Sequence, residues 1–333
     1  MTLLLAALPA AGALPIGRAR LLHAAWVEAR RLGGRFVLAL DDSAPARQGD
    51  PLADLAWLGL DWDEAFRRAD QADRYAEAAA RLEESGRLYP CFEHPDELRA
   101  KAERQRKQGR PILYDRAMLR LTPAQRAAAE AGGKRPHFRF RLSGTVIAWA
   151  DTRAGRCEVA LPTLSDPVLR DESGRIDPAL ALAADDAALA ASHIVSGAEL
   201  LGPTAIHLDL LDALGADPAR RVLTHLPAPR DEGRRRLLGQ SLHALRQDGI
   251  APAALRAWFT TMAAQAPPRA DIGDQRTPRA DIGDLLAENR RALAGTPFEA
   301  VRHMLPGVDE GRWLALRGGI DLITEARLSD DEG

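Results

Sequence analysis

Two short apolar runs separated by a helical pattern constrain the fold of this chain more than any other feature. TLLLAALP at 2–9 and RFVLAL at 35–40 are continuous apolar runs, which are typical of strands buried on both faces of a parallel sheet. Between 18 and 32, apolar residues recur three and four positions apart, and a Gly-Gly pair then favours the end of a helix. A strand, a helix and a strand at this spacing predict a βαβ unit and a parallel sheet.

The loop after the first strand, GALPIGRARLL at 12–22, has the outline of a phosphate-binding loop. Ligands of parallel sheets bind beyond the carboxyl ends of the strands, so this loop and the pair Asp41 and Asp42 are predicted to share one rim. Gly17 permits close backbone approach, and a helix N-terminus favours an anion. Pro15, however, offers neither a side-chain donor nor a backbone N–H. The stretch matches neither a Walker loop nor a dinucleotide fingerprint, because their Lys-Ser/Thr pair and G-x-G are absent.

The length of the chain predicts more than one domain, since 333 residues exceed one compact core in most architectures. The formal net charge of −2 gives no indication of a nucleic-acid partner, so any RNA contact requires a local basic patch. Helical patterns fill about 50–86 and 95–135, and the second region carries such a patch. The RNA-binding candidates are Lys101, Arg104, Arg106, Lys107 and Arg110.

The second half of the chain begins with strand signals and ends with helical ones. HFRFRL at 137–142 alternates and predicts a strand with one exposed face, and 138–170 is interpreted as a β-rich insertion. Beyond Arg234 the pattern is mostly helical. PRADIGD occurs twice in quick succession between 268 and 284, which predicts a surface loop lengthened by a local duplication.

Cysteine content and hydropathy predict a cytoplasmic protein without a membrane partner. Cys91 and Cys157 lie far apart, which indicates a reducing compartment and no disulfide framework. No apolar run reaches transmembrane length, and the apolar N-terminal residues lack the basic start of a signal peptide. Cys91 and His94 have a ligand-like spacing, but without a second pair we expect no zinc and predict Cys91 to be a core residue. Histidines in apolar segments are predicted to be core or cap residues, namely His193, His207 and His225.

Nine segments together resemble bacterial glutamyl-tRNA synthetases, which are class I aminoacyl-tRNA synthetases. They are HAAWVEARRLGGRFVLALDDS, LADLAWLGLDWDE, ADRYAEAAARLEESGRLYPCFEHPDEL, GRPILYDRAMLRLT, KRPHFRFRL, LSDPVLRDESG, the DD…SHIVSGAE stretch, LDALGADPARRVLTHLP and ENRRALAGTPFEAVRHMLPGVDEGRWLALRG. The resemblance implies an α/β fold with a Rossmann-type class I catalytic domain, an inserted acceptor-stem-like domain and a C-terminal helical stem domain. The expected division is 1–88 and 171–235 for the two Rossmann halves, 89–170 for the insertion and 236–328 for the stem domain. The anticodon-binding domain of the family is expected to be absent, so the chain resembles a truncated member.

The resemblance also implies an amino-acid pocket in which several groups have changed. Leu5 and Ser196 stand where the family has arginines that bind the glutamate, and Gly197 keeps the family's glycine. The family's Tyr-Asn pair falls on Pro178 and Ala179, and a family glutamate becomes Ala198. Asp41 keeps an acidic group that suits a substrate ammonium, although capping of the strand end explains the acidic pair equally well. The pocket candidates are Leu5, Asp41, Pro178, Ser196 and Gly197.

The nucleotide site implied by the resemblance is altered in the same way. Pro15 replaces the histidine that helps to hold the ATP phosphates, while Arg18 offers a charge or is a solvated first-turn arginine. The family's mobile basic loop falls in DEGRRRLLGQS, where Arg236 either contacts phosphate or belongs to a solvated basic turn. ATP with Mg²⁺ is the implied cofactor. The nucleotide-binding candidates are Gly12, Ile16, Gly17, Arg18, Arg234, Arg235 and Arg236.

Two hypotheses about function follow from these departures. Loss of one preorganised transition-state donor costs about 10²–10³ in rate, and here three substrate-binding groups are lost together. The first hypothesis is a degenerate, monomeric paralogue, a pseudoenzyme with weak or no glutamate activation that binds tRNA, another RNA or a protein. The alternative is an active, truncated ATP-dependent aminoacyl ligase with altered amino-acid or acceptor specificity.

Overall fold

The computed structural model describes residues 2–43, 49–227, 239–264 and 282–294, together with 296, 300, 305 and 313. The main sheet of this part of the chain has seven strands. They are β1 (Leu3–Pro9), β2 (Arg35–Asp41), β3 (Glu64–Arg67), β6 (Val146–Asp151), β7 (Gly155–Ala160), β9 (His193–Gly197) and β10 (Val222–Leu226), in the order β3-β2-β1-β9-β10-β6-β7. The first five in this order are parallel, and β1 and β2 pair over seven residues, which confirms the parallel sheet predicted from the two apolar runs.

A second, antiparallel sheet has three strands in the described residues. They are β4 (Leu88–Cys91), β5 (His137–Phe140) and β8 (Val168–Arg170), in the order β4-β5-β8. The hairpin β6–β7 lies between β5 and β8 in sequence but joins the main sheet through a parallel bridge from Asp151 to Leu223. The predicted boundaries of the inserted domain, at 89 and 170, stay a prediction. This hairpin links the two sheets.

Ten α-helices cover and extend the sheets within the described residues. They are α1 (Ile16–Arg31), α2 (Pro51–Leu58), α3 (Ala72–Glu84), α4 (Pro95–Lys107), α5 (Pro123–Ala131), α6 (Pro178–Ala188), α7 (Leu201–Ala213), α8 (Leu242–Gln247), α9 (Pro252–Ala264) and α10 (Ile282–Ala294). Several begin with sequence-encoded caps: in α4 and α5, the side chains of His94 and Thr122 accept backbone N–H groups, and Glu97 and Gln125 reach back in a capping box. None of the described helices is both long and apolar enough to cross a bilayer.

The largest core cluster lies on one face of the main sheet. Leu4 and Phe36 from the sheet pack with Ile16 of α1 and with Trp258 and Phe259 of α9. A second cluster joins α3, α6, α7 and the three-stranded sheet. Because α9 packs against both α1 and α2, the C-terminal helices share the core of the first βαβ unit.

Two local predictions were wrong in part. The helical pattern at 50–86 contains β3, a four-residue edge strand that is too short to interrupt the helical periodicity around it. Within the predicted strand at 137–142, β5 covers His137–Phe140; Arg141 is exposed, while His137 and Phe140 are buried and the Arg170 guanidinium lies 3.7 Å from the Phe138 ring centroid. The last three residues of the second PRADIGD copy, from Ile282, belong to α10 and not to a loop, and the rest of the repeat lies outside the described residues.

Candidate functional site

Strands β1 and β9 separate at the carboxyl edge of the main sheet. β1 pairs with β2 along its whole length but with β9 only at Leu4 and His193. In the sheet, β2 and β3 lie on one side of β1, and β9 and β10 lie on the other side. The direction in which strands are added therefore reverses at β1, so that β1 and β9 flank a topological switch point. Open α/β sheets bind their ligands at such points. The crevice between the carboxyl halves of β1 and β9 is therefore the candidate site.

The loop from β1 to α1 is held by backbone contacts with a second loop. Gly12 has φ +108° and donates its N–H to the Gly49 carbonyl at 3.0 Å. A Cβ at Gly49 would lie 2.4 Å from the Ala13 nitrogen, so the close approach of the two loops requires glycine there. Leu14 N–H donates to the Asp54 carboxylate at 2.9 Å. The nucleotide candidate Gly12 is thus part of a loop whose backbone is fixed by the protein itself.

The N-terminus of α1 is already hydrogen-bonded. Pro15 is the N-cap and makes no side-chain cap, as its chemistry requires. The Ile16 N–H donates to the Gln240 carbonyl at 2.8 Å, and the Ile16 side chain is fully buried in the core. Leu242 N–H in turn donates to the Leu14 carbonyl at 2.9 Å. Among the nucleotide candidates, Ile16 is therefore a core residue, and the next backbone N–H groups, those of Gly17 and Arg18, are the ones left to meet an anion.

Arg18 is not the solvated first-turn arginine that was one of its two interpretations. Its side chain is half-buried, and its guanidinium donates to the Ala7 carbonyl near the end of β1. Burial and the positive charge of Arg68 lower the pKa of Arg18, and the negative charge of Asp41 opposes that change. The guanidinium therefore lies at the rim of the crevice, close to the acidic end of β2.

Asp41 and Asp42 both act as local caps. Asp41 accepts the N–H of Ser43 at 3.0 Å and its hydroxyl at 2.6 Å. Asp42 accepts the Ala69 N–H at 3.0 Å. The other carboxylate oxygen of Asp41 lies 3.6 Å from the Arg68 guanidinium, and the other oxygen of Asp42 lies 3.8 Å from the Arg67 guanidinium. Both distances are too long for a hydrogen bond. Capping accounts for one oxygen of each carboxylate and leaves the other available.

The two positions implied to have lost an arginine flank the crevice. Leu5 packs into a small apolar cluster with Val37, Phe66 and Leu189 on the face opposite α1. Ser196 is half-buried on β9, and its buried Oγ has no hydrogen-bond partner among the described residues. A leucine side chain in an apolar cluster and a lone hydroxyl supply no cation to this crevice.

The remaining pocket candidates have structural roles. Gly197 is buried at the end of β9, and a Cβ there would lie 2.0 Å from a Glu199 carboxylate oxygen. Pro178 is the first residue of α6, which Asp177 caps by accepting the Ala179 N–H at 2.8 Å. Pro178 is exposed and lines a groove beside Asp41, so this candidate and Asp41 do share a surface.

A buried ion-pair cluster beside the crevice was missed from the sequence. Arg68 is 7% exposed, and its Nε lies 3.3 Å from the Asp185 carboxylate. Asp185, at 0% exposure, also accepts from Arg74 at 2.8 Å and from the Tyr75 hydroxyl at 3.2 Å. Burial raises the pKa of Asp185 against the opposing effect of these donors. The sequence FRRADQ, at 66–71, did not indicate this cluster, because the segment was interpreted as part of a continuous helix.

The other nucleotide candidates lie in the basic stretch that follows β10. Arg234, Arg235 and Arg236 lie outside the described residues. Their role in phosphate binding stays a prediction.

The basic cluster on α4 divides into two groups. Lys101 makes ion pairs with Glu93 and with Asp115, the latter at 2.9 Å, so its charge is satisfied within the protein. The other four candidates are exposed at and after the last turn of α4, where positive charge also complements the helix dipole. They are Arg104, Arg106, Lys107 and Arg110.

The cysteine and histidine positions have structural surroundings. Cys91 is fully buried with its Sγ 3.4 Å from the Tyr114 hydroxyl, and burial raises the pKa of the Cys91 thiol to about 11. In the part of the chain that the structure describes, no three His, Cys, Asp or Glu side chains are grouped to hold a metal. His225 is buried between Asp151 and Thr204, with distances of 2.5 Å and 2.8 Å from its two ring nitrogens. His207 lies 2.8 Å from Asp186, in keeping with its predicted core or cap role.

Curated relatives resemble this chain along most of its length. A protein named glutamate–tRNA ligase 2 from Acidiphilium cryptum is 43% identical over 339 residues, which are 95% of this chain and 76% of the relative. Another from Gluconacetobacter diazotrophicus is 40% identical and covers 97% of this chain and 81% of the relative.

A solved structure with a similar fold is a glutamate tRNA ligase from Elizabethkingia meningosepticum in complex with its amino acid. It is 19% identical, has a TM-score of 0.75, and covers 95% of this chain and 76% of the solved one. The profile of the family described as "tRNA synthetases class I (E and Q), catalytic domain" matches residues 8–263. With this match, the relatives above 30% identity and the Rossmann-type sheet, the chain belongs to the class I glutamyl- and glutaminyl-type tRNA synthetase family.

Proposed function

We propose that this protein keeps the fold and the RNA partner of its family but does not activate glutamate in the family's manner. Its curated relatives are named glutamate–tRNA ligases, so the family reaction is the ATP-dependent joining of glutamate to tRNA. The observation that carries the proposal is the crevice at the switch point, flanked by Leu5 in an apolar cluster and by Ser196 with a lone hydroxyl. We therefore propose a degenerate paralogue that binds RNA.

Electrostatics supports this proposal. A carboxylate moved from water into a partly buried crevice loses several kcal/mol of hydration unless a cation and hydrogen-bond donors replace the water. Arg68 already faces the carboxylates of Asp41 and Asp185, and Arg18 donates to the Ala7 carbonyl. A glutamate side chain in the crevice would meet Leu5, Ser196 and the acidic end of β2 at Asp41, which favours exclusion of its charge.

The test of lost activation is glutamate-dependent exchange of pyrophosphate into ATP, with and without tRNA. We expect no exchange above the level seen without the amino acid, whereas a glutamate–tRNA ligase from a relative exchanges under the same conditions. Exchange that depends on glutamate would refute the proposal outright.

The RNA partner is proposed from the exposed end of α4. Arg104, Arg106 and Lys107 are exposed and extend along its last turn. Replacing the three with alanine should weaken tRNA binding and lower the dependence of log K on log salt by about one unit for each phosphate that is no longer neutralised. A control variant with alanine at Arg156 and Arg220, both 82% exposed on other surfaces, should bind as the parent does. Equal affinity and salt slope in all three proteins would remove α4 as the RNA surface.

A second candidate function is an active ligase for a different acyl group, with ATP and Mg²⁺ as cofactors. The specific observation that favours it is the Arg18 guanidinium at the crevice rim, beside the free N–H groups of the first turn of α1. If Arg18 contacts the phosphates, Arg18→Ala should weaken ATP binding about tenfold or more, as expected for a charge-assisted contact. Unchanged ATP affinity in this variant would count against the ligase.

Light scattering should find a single chain if the protein is the proposed monomer.

A further inference from the structure

Residues 94–136 include α4 and α5 but no buried side chain, although Glu93 before them and His137 after them are both buried. Neither helix has an extensive contact with another helix or strand of the described part of the chain. A segment with few buried apolar side chains opens at a lower free energy than the protein as a whole. The contacts that hold this segment to the rest of the protein therefore decide how it moves.

The face of α4 that is turned from solvent offers little apolar surface for packing. Its half-buried residues recur at helical spacing, and they are Leu98, Lys101, Ala102 and Gln105. Only Leu98 and Ala102 among them are apolar, and neither is fully buried. The Gln105 amide exchanges hydrogen bonds of 2.8 Å and 3.2 Å with the Leu113 backbone, which belongs to the same segment. Because a lone helix of this length is marginal in water, α4 depends on polar contacts beyond the segment.

Lys101 supplies that contact. Its ammonium binds the carboxylate of Glu93, which is 5% exposed just beyond β4, and lies 2.9 Å from the carboxylate of Asp115. Within the described residues, no other side chain of α4 forms an ion pair or a hydrogen bond with a residue outside 94–136. Charge-assisted contacts of this kind are stronger than neutral ones. One lysine thus joins α4 to the protein.

The chain just after α4 is held much more firmly. Arg116 binds both carboxylate oxygens of the buried Asp166, at 2.7 Å and 2.9 Å. The Tyr114 N–H donates to the Ser165 hydroxyl at 3.0 Å, and the Tyr114 hydroxyl donates at 2.6 Å to the Glu93 oxygen that Lys101 leaves free. Residues 113–116 are therefore an anchor, which keeps Asp115 and Glu93 in place whether or not Lys101 is bound to them.

Exposed chain connects α4 to this anchor. The turn 108–112 is exposed throughout, and Gly109 has φ +64°, which glycine adopts without strain. We propose that α4 is a flap that leaves the protein and returns, and that the Lys101 ammonium is its fastener. Opening breaks the contacts of Lys101 with Glu93 and Asp115, and those of Gln105 with Leu113, while residues 113–116 stay anchored.

Hydrogen exchange of the full chain, followed by mass spectrometry, tests the flap. A detached α4 loses its helical hydrogen bonds, so its amides report each opening. We expect them to exchange about 100-fold or more faster than amides of α1, which is packed in the main core. Lys101→Met keeps an apolar stem and removes the charge. In this variant α4 should exchange about tenfold faster still, since a charge-assisted contact is lost, while α1 exchanges as in the parent.

Lys107→Met is the matched control. Lys107 is exposed at the end of α4 and makes no ion pair within the described residues, so the variant removes a charge from the same helix and leaves the fastener intact. Exchange of α4 should stay within about threefold of the parent. Three results would each overturn the flap: protection of α4 equal to that of α1 in the parent, equal exchange in the two lysine variants, or acceleration of α1 as large as that of α4 in Lys101→Met.

A consequence for RNA rests on the proposed function, whereas the flap itself does not. Arg104, Arg106 and Lys107 lie on the flap, so RNA that contacts both them and the rest of the protein holds α4 closed. With saturating bacterial tRNA, α4 should exchange about tenfold more slowly, and the variant with alanine at these three positions should show no slowing. Failure of tRNA to bind the parent would overturn the RNA partner, and the lysine variants would still decide the flap. Binding of tRNA without slower exchange in α4 would overturn the coupling between them.

Discussion

The backbone N–H of Ile16, the first residue of α1, donates to the Gln240 carbonyl at 2.8 Å. This contact takes one of the free N–H groups with which a helix N-terminus ordinarily binds an anion. The segment that supplies it continues directly into α8, and Pro15 and Ser241 form an isolated antiparallel bridge beside it. The start of α1 is therefore closed on one side by a segment from the C-terminal part of the chain.

The cap of α8 should contribute measurably to the stability of this closure. Ser241 is the N-cap and accepts the Ala244 N–H at 3.1 Å, which orders the residues that meet Leu14 and Ile16. Ser241→Ala should lower the free energy of unfolding by about 1 kcal/mol, the usual loss for an N-cap serine. Urea denaturation measures the difference. Ser173→Ala, in an exposed turn, should change it by less than about 0.5 kcal/mol, and equal effects of the two variants would argue against the cap.

The buried His23 should make the protein less stable in mild acid. This side chain is 4% exposed in α1 beside Trp26 and Phe259, and burial together with the charge of Arg256 lowers its pKa to about 4. The unfolded chain, with an ordinary histidine pKa near 6.5, binds this proton first as the pH falls. Stability is therefore lost between about pH 6.5 and pH 4, by about 3 kcal/mol in total, and this contribution is constant below that range.

Unfolding free energies from pH 7 to pH 4 check this expectation. His23→Leu should flatten the profile over that range, because the titrating group is gone while an apolar side chain of similar size remains. His243→Ala, at an exposed position of α8, should leave the slope of the parent unchanged. A His23→Leu profile as steep as that of the parent would assign the acid sensitivity to other groups.

Local sequence patterns predicted the parts of the fold that depend on the burial of nearby apolar residues. The parallel pairing of β1 and β2 followed from two apolar runs, and the rim with Asp41 followed from the position of those strands. The contact of Ile16 with Gln240 joins distant parts of the chain through backbone atoms, so no side-chain pattern records it. Arg68 was missed for a related reason: its partners Asp41 and Asp185 are brought to it by the sheet and by α6, not by sequence spacing. Resemblance to a family located the substituted positions, but only the structure showed that Leu5 is held in an apolar cluster.

Arg116 combines backbone strain with an ion pair to the buried carboxylate of Asp166, and the ion pair should dominate. Its φ is +54°, which costs a non-glycine residue about 1–2 kcal/mol. Its guanidinium binds both carboxylate oxygens of Asp166, which is 1% exposed, at 2.7 Å and 2.9 Å. Removing one partner of a buried pair costs about 3–5 kcal/mol. Arg116→Gly should therefore destabilise the protein by about 2 kcal/mol, despite the relief of strain.

The double variant Arg116→Gly with Asp166→Asn separates the two effects. It removes the uncompensated charge; the amide oxygen at this position can still accept the Leu142 N–H, and the amide N–H can donate to the Tyr89 hydroxyl oxygen. Its stability in urea denaturation should lie above that of Arg116→Gly alone. If Arg116→Gly by itself stabilised the protein, the strain at φ +54° would outweigh the pair, and the order of these two effects would be reversed.

Asp151 should control the attachment of the β6–β7 hairpin to the main sheet. It is fully buried; burial pushes its pKa up, but the N–H groups of Ala154, Arg153 and His225 and the His225 ring bring the pKa below its ordinary value. The parallel pairing of β6 with β10 is a single backbone bridge from Asp151 to Leu223, and the Asp151 carboxylate adds hydrogen bonds from the N–H and the ring of His225 in β10. Asp151→Asn should cost about 3 kcal/mol, since it removes the carboxylate charge that strengthens the buried hydrogen bond with the His225 ring. Thr204→Val, which removes the hydroxyl's contacts with the other ring nitrogen and with the Leu200 carbonyl, should cost about 1 kcal/mol. Hydrogen exchange should be faster at amides of β6 and β7 in the Asp151 variant than in the Thr204 variant, while amides of β1 and β2 keep the protection of the parent. Uniform acceleration across the sheet would show that the hairpin does not open as a separate unit.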